Sequence, residues 1–348
     1  MFPVYDALYK NKKFDTILVH SGQHDEMAIQ ALETFGIIPN YTCNVLDDDK
    51  VRLGDLVSRL IQQFTIAFYE LKPNLVLVHG DTTTAFSATV AAFLQNIKIG
   101  HVEAGLRTSR FEYPFPEEGY RRIISRIATY HFAPTPKSAS NLRAENINAN
   151  IHVVGNTVVD SLKKILPLTD SVSLRRLRAW TENYALVLVT AHRRETYGEP
   201  LLNLCKTVKD IVLFNPYVKI IWPVHFNPNV REVVLKNINN PKILLEPPLN
   251  YEEFTKLLDI ADLVITDSGG VMEEAAVLGK PTLVLRTETE RPEVLELDNV
   301  RLVGYDFEQL LTLSNQWIKT PPKMETSSVF GDGTAGVEIM EIIEGEII

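Results

Sequence analysis

Residues 74–103, NLVLVHGDTTTAFSATVAAFLQNIKIGHVE, decide the fold. They read as an apolar strand, NLVLVHG (74–80), then a polar turn, a helical stretch and a second strand, IKIGHVE (97–103). Both strand segments are short, rich in Val, Ile and Leu and nearly uninterrupted, as parallel strands buried on both faces are. The same pattern extends outward. DTILVHS (15–21) lies upstream, and YHFAP (130–134) and IHVVG (151–155) lie downstream. A second set follows: YALVLVTA (184–191), KIIWPVH (219–225), ILLEPP (243–248), LVITDS (263–268) and PTLVLR (281–286). Helical patterns such as LGDLVSRLIQQFTIAFYELK (53–72) and YEEFTKLLDIA (251–261) lie between them. Strand–helix alternation of this kind builds parallel, doubly wound sheets, so the fold class is α/β with two Rossmann-like domains.

The polar stretch LPLTDSVSLRRLRAWTEN (166–183) separates the two sets and is read as the entry to the second domain. The segment 320–336 reads as loop, and GVEIMEIIEGEII (336–348) reads as a closing helix. A Rossmann half normally opens with a strand that lies centrally in its sheet. This chain opens on a helical pattern, FPVYDALYK (2–10), so the first domain is expected to lack its first strand.

Composition narrows the function classes. The 348 residues correspond to about two domains at roughly 100–200 residues each. Hydrophobic residues make up 45% and charged residues 23%, which is ordinary for a globular protein. A net charge of −9 disfavours non-specific binding to nucleic acid or to anionic membrane. Cys43 and Cys205 stand far apart without metal-ligand spacing and read as buried thiols. No apolar run approaches the ~18–20 residues of a membrane span, and MFPVYDALYKNKK does not resemble a secretory signal. A reducing cytoplasm is the expected location.

Ligands of open α/β sheets sit beyond the C-terminal ends of strands. The polar clusters here fall at those ends: GQHDEM, HGDTTT, HVEAGLR and PFPEEGYRR in the first half, and AHRRET, PVHFNPNVR, DSGGVMEEA and RTETERPE in the second. In DSGGVMEEA, Ser268, Gly269 and Gly270 would present backbone N–H groups at a helix N-terminus, a site suited to phosphate, with Glu274 within reach of ribose hydroxyls. A serine cap and a glycine turn explain the same residues without a ligand. Arg193, Arg194 and Arg291 suit a diphosphate, or else pair with Glu195, Glu290 and Glu293. His192, directly after a strand, is either structural or a ligand group. Asp81, Glu103 and Glu117 all lie at or just after strand ends, where converging carboxylates can divide acid and base roles. Against that, Asp81 could cap the following helix, and Glu117 or Glu118 could pair with Arg121 or Arg122. Phe254 and Leu249 flank a helix start, where an aromatic could stack on a base or simply belong to the core.

Together, SGQHDEM, VLVHGDTTT, GHVEAGLRT, YPFPEEGYRR, FAPT, VVGNTVVDSL, VTAHRRET, PVHFNPNVRE, TDSGGVMEEA, LGKPTLVLRTETERPE and VRLVG resemble the non-hydrolysing UDP-N-acetylglucosamine 2-epimerase family over essentially the whole chain. The resemblance implies a glycosyltransferase-B-like pair of Rossmann domains facing across a cleft, residues 1–157 with the closing helix 334–348, and residues 158–333. It implies reversible interconversion of UDP-N-acetylglucosamine and UDP-N-acetylmannosamine for surface polysaccharide, through elimination of UDP to 2-acetamidoglucal and re-addition, without nicotinamide or metal.

By motif position it implies Asp81, Glu103 and Glu117 as acid/base carboxylates and His192 beside the diphosphate. Ser268, Gly269, Gly270 and Glu274 match the UDP loop, Phe254 and Leu249 the surroundings of uracil, and Arg291 a brace of that pocket. Gln23, His24, Glu118 and His225 match contacts of an activating second UDP-N-acetylglucosamine; Glu26 stands where some members carry a second glutamine. A homodimer is implied by the family alone.

Family members open with a strand, a Gly-Thr-Arg-Pro-Glu loop and a lysine-bearing helix, and this chain aligns from partway along that helix. Loss of those two cations is expected to impair epimerisation. The competing functions are a hydrolysing epimerase, a glycosyltransferase of the same fold, and a non-catalytic UDP-sugar-binding protein.

Overall fold

The computed structural model describes residues 1–23, 29, 32–45, 52–112, 114–324 and 326–347; His24 and Glu26 lie outside the described residues. The chain forms two units, Met1–Ser161 with Val329–Ile348, and Leu162–Ser328. Among the described residues no helix is long and apolar enough to cross a membrane.

The first unit holds a parallel sheet of β3 (Leu75–His79), β4 (Lys98–Val102), β5 (Tyr130–Ala133) and β6 (Ile151–Val153), in that spatial order. A separate parallel pair joins β1 (Val19–His20) to β2 (Tyr41–Thr42). Among the described residues no ladder links β1 to β3. The helix after β3, Thr83–Leu94, starts where Thr82 accepts a hydrogen bond from the Ala85 N–H at 3.1 Å. Its small residues Ala85, Ala88, Ala91 and Ala92 are buried against Val76, Val78 and Ile99.

The closing helix, Ala335–Ile347, packs on the opening helix, Phe2–Lys10. Close approach explains the glycine at its start: a Cβ on Gly336 would lie 2.6 Å from the Pro3 carbonyl oxygen. The Gly336 N–H donates to Asp160 Oδ1 at 2.9 Å.

The second unit carries six parallel strands: β7 (Ala185–Thr190), β8 (Val218–Pro223), β9 (Ile243–Glu246), β10 (Leu263–Thr266), β11 (Thr282–Val284) and β12 (Val300–Leu302). Their spatial order, β12-β11-β10-β7-β8-β9, is that of a doubly wound sheet. The apolar run 186–189 is legible in burial. Val187 and Val189 join one core with Leu204, Val208 and Trp222, while Leu186 and Leu188 join the opposite core with Leu174, Leu257 and Leu258. Side chains alternate across a strand, so a strand covered on both faces must be apolar throughout. The direction of winding reverses between β7 and β10, and this is where such sheets leave a crevice for a ligand.

Candidate functional site

The chemistry-bearing residues fall into two groups, one at the strand ends of each unit. In the second unit they gather at the reversal between β7 and β10. Thr190 and Thr266 are in register there, and their hydroxyls are 2.7 Å apart. The next residue after β10 is Asp267, fully buried. Its Oδ2 accepts from the backbone N–H of His192 at 2.9 Å, from that of Arg193 at 2.9 Å and from the Thr196 hydroxyl at 2.8 Å. Asp267 therefore ties the loop after β7 to the end of β10. His192 is 41% exposed, and its Nδ1 lies 3.4 Å from the other Asp267 oxygen. The His192 ring stacks on that of His225, with centroids 5.5 Å apart. His225 Nδ1 accepts from the Asn227 N–H at 3.1 Å, so its proton sits on Nε2 when the ring is neutral.

Ser268 caps the helix Gly269–Val277, its hydroxyl facing the Val271 N–H. The two glycines differ. A Cβ on Gly269 would meet Arg291 Nη1 at 2.8 Å and Glu290 Oε1 at 3.1 Å, whereas a Cβ on Gly270 would meet nothing within 4 Å. Gly269 thus answers to packing, and Gly270 leaves the first turn of the helix open. Orphan N–H groups of such a turn favour an anion. Arg291 is held by Glu273 and Glu290, and Glu290 also accepts from Arg286 at 2.7 Å. The arginine braces the helix start from behind.

One turn further, Glu274 is buried and its Oε1 accepts from the Tyr251 hydroxyl at 2.9 Å. Burial raises its carboxyl to about 7, against a smaller opposing effect of that hydrogen bond. Phe254 and Leu249 are half-buried and pack on the core around Leu257 and Leu258.

In the first unit, β3 and β4 are neighbours with His79 opposite Val102. Asp81 and Glu103 follow those positions by two residues and one, so both carboxylates leave the same end of the sheet. The turn between them is pinned twice. The Gly80 N–H donates to the Val102 carbonyl at 3.0 Å, and the Gly80 carbonyl accepts from His101 Nε2 at 2.9 Å. His101 is fully buried, and burial lowers its pKa to about 3, so the ring is neutral with its proton on Nε2. Gly80 and Glu103 both have positive φ, 67° and 66°. For Glu103 this is a strained backbone, of the kind that persists where the surroundings over-determine it. Its Oε2 lies 3.5 Å from His79 Nε2.

Asp81 does not cap the helix that follows; Thr82 does. Asp81 Oδ2 instead accepts from Arg121 Nη1 at 2.5 Å. Arg121 also reaches the fully buried Glu118, whose oxygens take the Arg121 Nε at 3.0 Å, the Arg122 Nε at 2.8 Å and the Thr108 N–H at 3.1 Å. Glu117 begins the same helix, Glu117–Ile127, and its Oε2 is buried with no hydrogen-bond partner among the described residues. Gln23 Oε1 accepts from the Thr84 hydroxyl at 3.0 Å, next to the Asp81 turn.

Reading the sequence missed the connecting residues. Asp267 and His101 each stand inside a quoted motif, but their partners are distant in the chain; the pairing of Glu118 with Arg121 and Arg122 is as the sequence suggested, whereas the bond from Arg121 to Asp81 is not. For Asp267 one signal was available, since an acid directly after a strand at a winding reversal lies at the crevice. Among the described residues no group of three or more His, Cys, Asp or Glu side chains is arranged to hold a metal ion.

The family described as UDP-N-acetylglucosamine 2-epimerase matches residues 6–344. The chain is 39% identical over 362 residues to the UDP-N-acetylglucosamine 2-epimerase of Escherichia coli O157:H7, covering 100% of this chain and 96% of that one. It is similar to the Neisseria meningitidis UDP-GlcNAc 2-epimerase solved bound to UDP-GlcNAc, with TM-score 0.93, 35% identity and coverage of 99% and 95%. It is also similar to the Methanocaldococcus jannaschii UDP-GlcNAc 2-epimerase solved with UDP-GlcNAc and UDP, with TM-score 0.87, 30% identity and coverage of 99% and 95%.

Proposed function

The chain belongs to the UDP-N-acetylglucosamine 2-epimerase family, and we propose that it interconverts UDP-N-acetylglucosamine and UDP-N-acetylmannosamine. A carboxylate removes the C2 proton as the bond between C1 and the diphosphate oxygen breaks. UDP leaves and 2-acetamidoglucal remains. For return, a carboxyl group delivers a proton to the opposite face of C2 and the UDP oxygen re-forms its bond to C1. Atoms and charge balance without a redox cofactor or a metal.

The observation that carries this reading is the open, Ser268-capped helix start at the winding reversal, beside the loop bearing His192. Ser268, Gly269 and Gly270 hold the diphosphate through backbone N–H groups, and His192 stabilises the departing UDP. Glu274, beside Tyr251, takes the ribose hydroxyls. Leu249 and Phe254 border uracil, and Arg291 braces the loop. Asp81, Glu103 and Glu117 exchange the C2 protons. Arg121 orients Asp81, and the strained Glu103 is held beside His79.

A second UDP-N-acetylglucosamine activates the enzyme through Gln23, His24 and His225. Glu118 acts there through Arg121 and Arg122, because its own oxygens are already engaged. The enzyme works as a homodimer in the cytoplasm and supplies N-acetylmannosamine units for surface polysaccharide.

The test is incubation with UDP-N-acetylglucosamine in deuterated water, with exchange at C2 and the products followed by NMR. Exchange with formation of UDP-N-acetylmannosamine is expected. Free N-acetylmannosamine with UDP would assign the chain to hydrolysis instead. Binding of UDP without exchange would leave a non-catalytic binding protein.

A further inference from the structure

We propose that Asp267 is a positioning residue for the reaction: it fixes the His192 ring with its proton on Nδ1 and so presents Nε2 away from the sheet. The inference rests on the reading of His192 as the group beside the departing diphosphate.

Asp267 has two jobs that its geometry separates. Oδ2 alone accepts three hydrogen bonds, from the His192 N–H, the Arg193 N–H and the Thr196 hydroxyl. Those bonds fully account for holding the loop after β7 against β10, and a neutral Asn carbonyl could make all three. They leave Oδ1 unexplained. It is buried, it has no hydrogen-bond partner among the described residues, and the nearest basic atom is His192 Nδ1 at 3.4 Å. A buried carboxylate oxygen left without a donor is costly. It persists here because it faces a ring nitrogen that can carry a proton.

Small rotations of the half-exposed His192 ring would shorten 3.4 Å to a hydrogen bond. The stacked His225 ring, 16° from parallel, limits which rotations are open. With the Nδ1 proton directed at Asp267, Nε2 is the nitrogen that takes a second proton from solvent when the diphosphate is present and then donates it to the departing oxygen, and the Asp267 carboxylate stabilises the imidazolium so formed. A backing carboxylate of this kind orients an imidazole and selects its tautomer without itself touching substrate.

The test uses the full chain labelled with 15N-histidine. Long-range 1H–15N spectra report the protonated nitrogen of each ring, and His192 is assigned by the signal that Asp267-independent His192→Gln removes. The wild-type ring is expected to carry its proton on Nδ1. In Asp267→Asn the carboxamide keeps an oxygen for the three loop donors and turns its NH2 to Nδ1, so the proton is expected to move to Nε2.

C2 exchange is expected to fall on the order of 10²–10⁴-fold in Asp267→Asn, with UDP affinity within about threefold of wild type. The double variant Asp267→Asn/His192→Gln should be no slower than His192→Gln alone, because Asp267 acts only through the ring. A wild-type ring protonated on Nε2 overturns the proposal, and this measurement stands even if Asp267→Asn does not fold. Multiplying losses in the double variant also overturn it. If His192→Gln exchanges normally while wild-type His192 carries its proton on Nδ1, the link between Asp267 and His192 holds but the assigned role of His192 fails.

Discussion

Glu274→Gln should make the second unit more stable at alkaline pH and barely change it in acid. The carboxyl is buried, and burial raises it from 4.5 to about 7. A group whose folded value is raised holds its proton in the folded state after the unfolded chain has released it. Between about pH 4.5 and 7 the folded state binds more protons than the unfolded state, so stability falls as pH rises through that window. At 1.36 kcal/mol per pH unit, wild type carries a penalty of roughly 1 kcal/mol at pH 5 and roughly 3 kcal/mol above pH 8.

Glutamine keeps an oxygen for the Tyr251 hydroxyl, which sits 2.9 Å from the carboxylate, and removes the ionisation. The stability gap between variant and wild type should therefore widen by about 2 kcal/mol between pH 5 and pH 8.5. All three tryptophans, Trp180, Trp222 and Trp317, belong to the second unit, so urea denaturation followed by tryptophan fluorescence reads this unit alone. A gap that stays constant or narrows with pH would refute a desolvated Glu274. UDP affinity provides a separate reading. Wild type should bind more tightly as pH rises through 7, when the carboxylate can accept both ribose hydroxyls, and the variant should lose that dependence.

Three further outcomes are expected. His101→Leu strands the Gly80 carbonyl and should destabilise the first unit by about 1–3 kcal/mol; it should also slow C2 exchange without altering UDP affinity, and His101→Gln, which retains a donor, should recover much of the exchange. Gly269→Ala forces its methyl into Arg291 and Glu290 and should cost about 1–3 kcal/mol, whereas Gly270→Ala, with open space around it, should be neutral or stabilising by up to ~1 kcal/mol; urea midpoints compare the two. Burial raises both thiols, Cys43 and Cys205, to about 11, so a disulfide-exchange reagent at pH 8 should label neither in the native protein and both after denaturation.

Much of the architecture was legible in the chain because buried parallel strands leave a continuous apolar trace. The ten strand segments read from the sequence all contain observed strands. β2 and β12 escaped that reading because polar residues interrupt their apolar trace: Asn40 and Asn44 flank the β2 stretch, and the exposed Arg301 divides Val300 from Leu302. Caps were also legible. Ser268 accepts from the N–H three residues on, as a local rule requires. The same rule misjudged Asp81: Thr82, one residue later, makes the cap, and the acid is drawn to Arg121.

The sequence alone determined what depends on neighbours within a few residues: the strands, the helices, their alternation and the polar clusters at strand ends. Family motifs added the chemistry those clusters resemble. Only the tertiary structure decided which charges meet. Arg121 joins Asp81 across forty residues to Glu118 on its own helix, and Asp267 reaches back seventy-five residues to the His192 N–H. Ion pairing and hydrogen bonding fall off within a few ångströms. Their partners are therefore set by where the sheet brings separate strand ends together, and no periodicity in the chain records that distance.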